Sequence, residues 1–397
     1  MQKLLVVLFF AISCAGCFNQ KSPKQALEKK FNGPFYGRLV YDNQLIDPRP
    51  QEISERIFED SATQIVRQFA VHPLQASEGS DTVVMTTPAR AVVDEKEQFL
   101  FLVDSDSNAV HKFSLNTGRL LAVSTEPADR KRGTQSVYMY MMGNEELWFT
   151  GVESKKIMRT DLDGSYLDMI DLPHSGWVAP ASSGEFVFLD AANMDELFHV
   201  YSSKGKKQRS FGILSSVEHE IQGHIQQAHG MGFIGELRTE GDHSFVYTNF
   251  FGGGILGYTM DGRLRYFRET IDSGPFPRLR SFTQEEQEKS GLGAGDVTVD
   301  TEQVISQQFS MNVWNGIFYQ NTYLLSDRET FVIDAYDYDT GDYLFSIPSP
   351  EGCGIIFITD KHLYASCLEQ GFFQLRRPAS PVDPSDEPDM IQAHLTK

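Results

Sequence analysis

Apolar and polar positions along this chain alternate in short bursts that fit strands. The clearest unit runs from Phe99 to Leu121. An apolar run, Phe99-Leu-Phe-Leu-Val103, ends on Asp104; a polar kink carries Ser105 to Asn108; an alternating run follows from Ala109; and Thr117-Gly118 turns the chain back. Period-two patterning bounded by turn residues predicts a small antiparallel sheet. Four further copies follow. Leu147–Thr150 leads through Lys156–Arg159 to Asp163-Gly164, Phe186–Asp190 through Leu197–Tyr201 to Lys204-Gly205, Phe245–Asn249 through Gly257-Tyr258 to Asp261-Gly262, and Tyr323–Asp327 through Ala335-Tyr336 to Thr340-Gly341.

Repetition at this period is the signature of propeller blades. A last hairpin, Gly354–Ile358 against His362–Ala365, is followed by Gly371–Leu375 and lacks a turn and a fourth strand. Circular propellers complete such a blade with a strand from the other end of the chain, which removes the open edge at the seam. Thr63–Ala70 is the best donor, and the result is an all-β, six-bladed β-propeller closed by an N-terminal strand, with seven blades as the alternative. The glycine-to-glycine intervals are 46, 41, 57 and 79 residues, so the last is too long for one blade. The excess, about 269–303, is predicted to be an inserted loop; in it Thr283-Gln-Glu-Glu286 forms a capping box for a short helix stopping at Gly291. Another short helix is expected over Gln51–Asp60.

The kinked apolar run followed by Val-His-Lys-Phe or His-Val-Tyr and an Asp-Gly or Thr-Gly turn resembles the NHL and TolB-like six-bladed propellers from about Ala91 to Arg377. That resemblance implies a fold and no particular reaction.

The N-terminus reads as an address. Lys3 precedes the apolar run Leu4–Ile12 and small residues lead to Cys17, the outline of a secretory signal too short to span a bilayer. Cys14-Ala-Gly-Cys17 resembles the bacterial lipobox, with Cys14 where Leu is usual. The resemblance implies a signal peptide over 1–16, acyl chains on the sulfur of Cys17 and a bilayer as partner, with the outer membrane favoured because Phe18, and not Asp, follows the cysteine. Residues 17–33 read as a tether, 34–378 as the propeller, and 379–397, rich in Pro and Asp, as a disordered acidic tail.

Composition narrows the function. Twenty-nine Phe and 15 Tyr suit the packing between tilted sheets, and a formal charge of −19 repels phosphate backbones, which excludes nucleic acid as a partner. With Cys14 in the signal and Cys17 lipidated, Cys353 and Cys367 remain. Each lies seven residues from Asp360, so a hairpin turning through Thr359–Lys361 sets them opposite one another, where an oxidising compartment favours a disulfide.

Candidate chemistry is sparse. Gly230–Gly235 matches G-x-G-x-x-G but has strand patterns after it where a dinucleotide site needs a helix. His219, His224 and His229 recur every five residues, a step that neither helix nor strand converges, so only a folded loop gathers them; they are the best candidate ligand site, with any metal unknown. Asp334, Asp337, Asp339 and Asp342 begin like a calcium loop, yet Gly341 falls at a ligand position. No catalytic constellation is assigned, and no cofactor is expected. The sequence therefore predicts a membrane-anchored binding or scaffold module for a protein, peptide or glycan partner; the alternative is a metal-assisted hydrolase or dehydrogenase in the channel.

Overall fold

The computed structural model describes residues 39–377 except 43, 60–63, 72, 74–82, 86–87, 105–108, 125–136, 144, 152–154, 175, 191–195, 215–233, 251–253, 273–278, 291–296, 300–305, 325–330, 351 and 368. The repeat units become antiparallel sheets. Blade 1 comprises Pro88–Val93, Phe99–Asp104, Ala109–Ser114 and Leu120–Ser124, and blade 2 comprises Val137–Met142, Glu146–Gly151, Lys156–Asp161 and Tyr166–Asp171. Blade 3 comprises Trp177–Pro180, Phe186–Leu189, Phe198–Tyr201 and Lys207–Phe211; blade 4, Gly235–Glu240, Ser244–Asn249, Ile255–Thr259 and Leu264–Arg268; blade 5, Ser306–Trp314, Ile317–Leu324, Phe331–Asp337 and Tyr343–Pro348. Blade 6 takes Cys353–Ile358, His362–Cys367 and Gly371–Arg376 from the end of the chain and its outer strand, Ile65–Val71, from the beginning. The first strands touch in the cyclic order 1-2-3-4-5-6-1, so the ring is closed and has six blades.

The sequence pattern follows from this arrangement. Second strands lie between neighbouring sheets and are apolar on both faces; Phe186, Val187, Phe188 and Leu189 are all fully buried. Aromatic rings fill the wedge between blades 3 and 4, with Phe198 5.1 Å from Phe245 and Phe211 5.3 Å from Tyr258. The turn glycines serve the same packing. Each lies against the outer strand of the preceding blade: Gly118 against Arg67, Gly164 against Ser124, Gly205 against Ile170, Gly262 against Phe211 and Gly341 against Tyr266. A side chain at any of them would intrude on the neighbouring sheet.

Outside the blades, the N-terminal arm wraps the rim. Leu39–Tyr41 pairs with Gln44–Ile46 and with Ile213–Leu214 beyond blade 3, Arg49 bridges Arg268 on the outer strand of blade 4, and Phe58 bridges Ser346 on that of blade 5. The segment expected as a helix over Gln51–Asp60 is extended through Glu59, because its backbone groups bond to strand edges: Ser346 donates its N–H to the Ile57 carbonyl (2.7 Å) and Glu59 donates its own to Ser346 (2.8 Å). The arm is pinned by Arg56, which donates to both Asp272 carboxylate oxygens (2.6 and 2.7 Å) and both of Asp334 (2.9 Å each). The insertion holds a two-stranded sheet, Leu279–Ser281 with Val297–Val299, around the helix Gln284–Ser290. Its capping box is formed: Thr283 donates its N–H to Glu286 (2.8 Å) and the Glu286 N–H reaches the Thr283 hydroxyl (3.3 Å).

Cys353 and Cys367 face one another, Cα atoms 4.0 Å apart, and form a disulfide. The hairpin turns through Thr359–Lys361, but it reaches that pairing through a bulge between Ile355 and Phe357. Nearer the turn, Ile358 faces Leu363, one residue out of the symmetric register.

Candidate functional site

Three places stand out among the described residues. The first is the centre of the ring, where the first strands of blades 1 to 4 contribute Arg90, Tyr138, Tyr140, Trp177, Glu236 and Arg238. Arg90 lies over the Tyr138 ring (4.6 Å) and Arg238 over that of Tyr140 (4.9 Å), while the Trp177 indole donates to the Tyr138 hydroxyl (3.0 Å). Glu236, fully buried, is ion-paired with Arg238. Burial opposes the Arg90 charge, but the nearby Tyr138 and then Glu236, three blades away, raise its pKa above the ordinary value. Burial likewise pushes the Tyr140 hydroxyl well up. These groups hold one another across the axis.

The second place is one edge of blade 3. His174, ahead of the first strand, and His199, on the third, both bring Nε2 to the same oxygen of Asp190 (2.9 and 3.2 Å), and the His199 Nδ1 lies 2.7 Å from the Ser210 hydroxyl on the outer strand. Burial would raise the Asp190 carboxyl, but the hydrogen bonds from His174 and His199 hold it down at about 2. Asp–His–Ser is the residue set of a hydrolytic relay. Here His199 is buried beside its cross-strand partner Phe188, and a second imidazole shares the carboxylate oxygen, so the chain works as a clamp that ties four consecutive segments of the blade together. Blade 1 carries a reduced version, with buried His111 near Asp104; burial lowers the pKa of His111, and Asp104 opposes that shift. Sequence reasoning used Asp104 and Asp190 as kink markers and missed their partners. The signal was there, since both blades place a histidine in the strand following the kink aspartate.

The third place is a narrow gap between blades 1 and 2, with room for about one water, lined by Phe101, Val110, Leu147, Phe149 and Leu162, with Lys112 at its edge. The Lys112 ammonium reaches exposed Asp163 (2.8 Å) and lies over the Phe99 ring (4.8 Å). The outer strands of these blades expose Leu120, Leu121 and Val123 on blade 1 and Tyr166 and Leu167 on blade 2.

The residues singled out from sequence fall as follows. His219, His224 and His229 lie outside the described residues, as do Cys17 and most of Gly230–Gly235. The four aspartates of the calcium-like stretch diverge: Asp334 and Asp342 pair with Arg56 and Arg268, Asp339 pairs with Arg265, and Asp337 accepts from the Asp339 and Thr340 N–H groups at the blade turn (2.9 and 2.8 Å). Among the described residues no group of three or more His, Cys, Asp or Glu is placed to hold a metal ion.

Fold and interior together define a six-bladed β-propeller whose central polar residues are engaged with one another. No family model matches the chain, and no curated protein matches it in sequence. Among solved structures it is similar to hydrazine synthase of Kuenenia stuttgartiensis (10% identity, 77% of this chain and 100% of that one, TM-score 0.44). It is also similar to BamB of Moraxella catarrhalis (11%, 79% and 99%, 0.41) and to a catalytically inactive virginiamycin B lyase of Staphylococcus aureus with quinupristin (14%, 73% and 95%, 0.42).

Proposed function

We propose that the chain is an exported, lipid-anchored binding module of the cell envelope that holds a protein, peptide or glycan partner against the rim of a rigid disc. The observation that carries this reading is the contrast between interior and rim. Glu236, Asp190 and His199 are buried, Arg90 and Arg238 are half-buried, and all are engaged with their neighbours, whereas apolar side chains on the outer strands of adjacent blades 1 and 2 face solvent. Exposed apolar side chains grouped on an outer strand are a feature of interaction surfaces. Export and anchoring rest on the segment from Lys3 to Cys17, and the outer membrane on Phe18. The disulfide between Cys353 and Cys367 supports an oxidising compartment.

Fractionation of cells expressing the full chain and Cys17→Ser, with the intact mass of each, tests the anchor. The parent chain is expected in the membrane fraction, beginning at Cys17 with the added mass of acyl chains, and the variant is expected to lose both. Metal analysis of the purified chain tests the binding assignment. Stoichiometric metal that disappears when His219, His224 or His229 is replaced would overturn it in favour of metal-assisted catalysis.

A further inference from the structure

Resting on the reading of a binding module, we infer that the outer strand of blade 1, Leu120–Ser124, is a docking edge to which an extended segment of a partner protein adds as a further strand. The argument begins with what a propeller must do about its outermost strands. Each presents a row of N–H and C=O groups that lack a neighbouring strand and act as a template for pairing unless covered, charged or distorted.

Five of the six outer strands are guarded. The arm covers blades 4 and 5: the Arg49 N–H donates to the Phe267 carbonyl (2.9 Å) and the Glu269 N–H to Arg49 (2.9 Å), while Ser346 is bonded on both sides by Ile57 and Glu59. Blade 6 carries Arg67, two bulges and a short parallel strand, Val83–Val84, laid on Ala70 and Val71. Blade 3 ends in Lys207-Gln-Arg209, and blade 2 sets Asp168 and Asp171 into Tyr166–Asp171. Among the described residues, blade 1 alone has neither charge on its outer strand nor cover: the strand is Leu-Leu-Ala-Val-Ser, with Leu121 51% and Val123 48% exposed. The bulge at the start of its pairing, between Lys112 and Phe113, recurs in blades 2 to 5 and so is no guard particular to this edge.

The chain itself shows what fits. Wherever something lies on an outer strand of blades 4 to 6, it is extended backbone. A second copy is disfavoured, because two bodies of formal charge −19 repel. The complementary occupant is an extended segment of another protein, apolar at alternate positions toward Leu121 and Val123, and flanked by lysine or arginine, which the acidic body attracts.

The test uses the purified full chain and a labelled synthetic peptide, Lys-Lys-Val-Thr-Val-Ser-Val-Lys, read by fluorescence anisotropy, together with a peptide N-methylated at alternate residues so that side chains remain while ladder donors are lost. The variant Leu121→Lys/Val123→Lys places charges on the edge without touching the core. Gln208→Lys, on the outer strand of blade 3, controls for an added positive charge. The proposal expects saturable binding by the parent chain, weakened about tenfold or more by the edge variant and by N-methylation, and little changed by Gln208→Lys. Binding equal in the parent and the edge variant would overturn the edge while leaving a binding module in place. No binding by the parent chain would overturn the strand-addition claim. Concentration-dependent dimerisation of the parent chain that the edge variant abolishes would assign the edge to a second copy and overturn the heterologous partner.

Discussion

At the residue scale, the repeated glycine has two jobs, and only one was readable. The turn role is visible in Asp261-Gly262, but the reason a larger residue fails lies in another blade. The backbone of Gly262 has φ +92°, and an added Cβ would stand 2.8 Å from the Phe211 ring. Gly143 also has positive φ, +54°, with nothing within 4 Å of an added Cβ. Gly143→Ala is therefore expected to cost about 1 kcal/mol and Gly262→Ala roughly 2–3 kcal/mol, because the second also displaces a ring, as urea midpoints would show. Equal losses would mean that the interblade contact contributes nothing. Asp190 gives a pH-dependent counterpart. Its carboxyl ordinarily titrates at 3.8 and in the fold at about 2, so the stabilisation it brings is complete above pH ~4 and fades as the pH falls toward 2. Its full value is on the order of 2 kcal/mol. Asp190→Asn should flatten the acid side of the stability profile in that window, and an unchanged slope would remove the clamp from the account.

At the element scale, the strands were legible and the arm was not. Continuous apolar runs ending in Asp104 or Asp190 announce blades because the neighbours on both sides are other copies of the same pattern. Gln51–Glu59 has no period of its own and takes its extended form from edges contributed by Arg268 and Ser346, more than 200 residues later. Local patterning misassigns such a segment for that reason. The element is held at Arg56, whose removal leaves the carboxylates of Asp334 and Asp272 buried without a cation. Arg56→Ala should cost about 3–5 kcal/mol and expose the arm to limited proteolysis, while Lys112→Ala, which breaks a pair with 81% exposed Asp163, should cost under about 1 kcal/mol. The last hairpin is the converse case. Cysteines placed symmetrically about Asp360 were enough to predict the pairing, although the strand reaches it through a bulge invisible in the spacing. Breaking the crosslink by Cys353→Ser/Cys367→Ser should lower stability by about 3 kcal/mol, the loop-closure value for a separation of 14 residues.

At the scale of the whole molecule, closure by Ile65–Val71 makes the ring one cooperative body and passes the problem of exposed edges to its circumference. The sequence carried the blade count and the closing strand, because both are repeated or complementary patterns. It could not carry the cluster of Arg90, Tyr138, Tyr140, Glu236 and Arg238, since those residues come from three blades and meet only at the axis. Nor could it show that Leu120–Ser124 is uncovered among the described residues: the same apolar strand would pass for core until the positions of the arm, of Lys207 and of Asp168 are known. The measurement that bears most directly on the account is amide hydrogen exchange, strand by strand, on the purified full chain with and without the synthetic strand peptide. The outer strands of blades 4 and 5, lying under the arm, should exchange slowly throughout; the outward amides of Leu120–Ser124 should exchange fast alone and slow markedly when the peptide is present. Slow exchange at Leu120–Ser124 without the peptide, or exchange there that the peptide leaves unchanged, would contradict it.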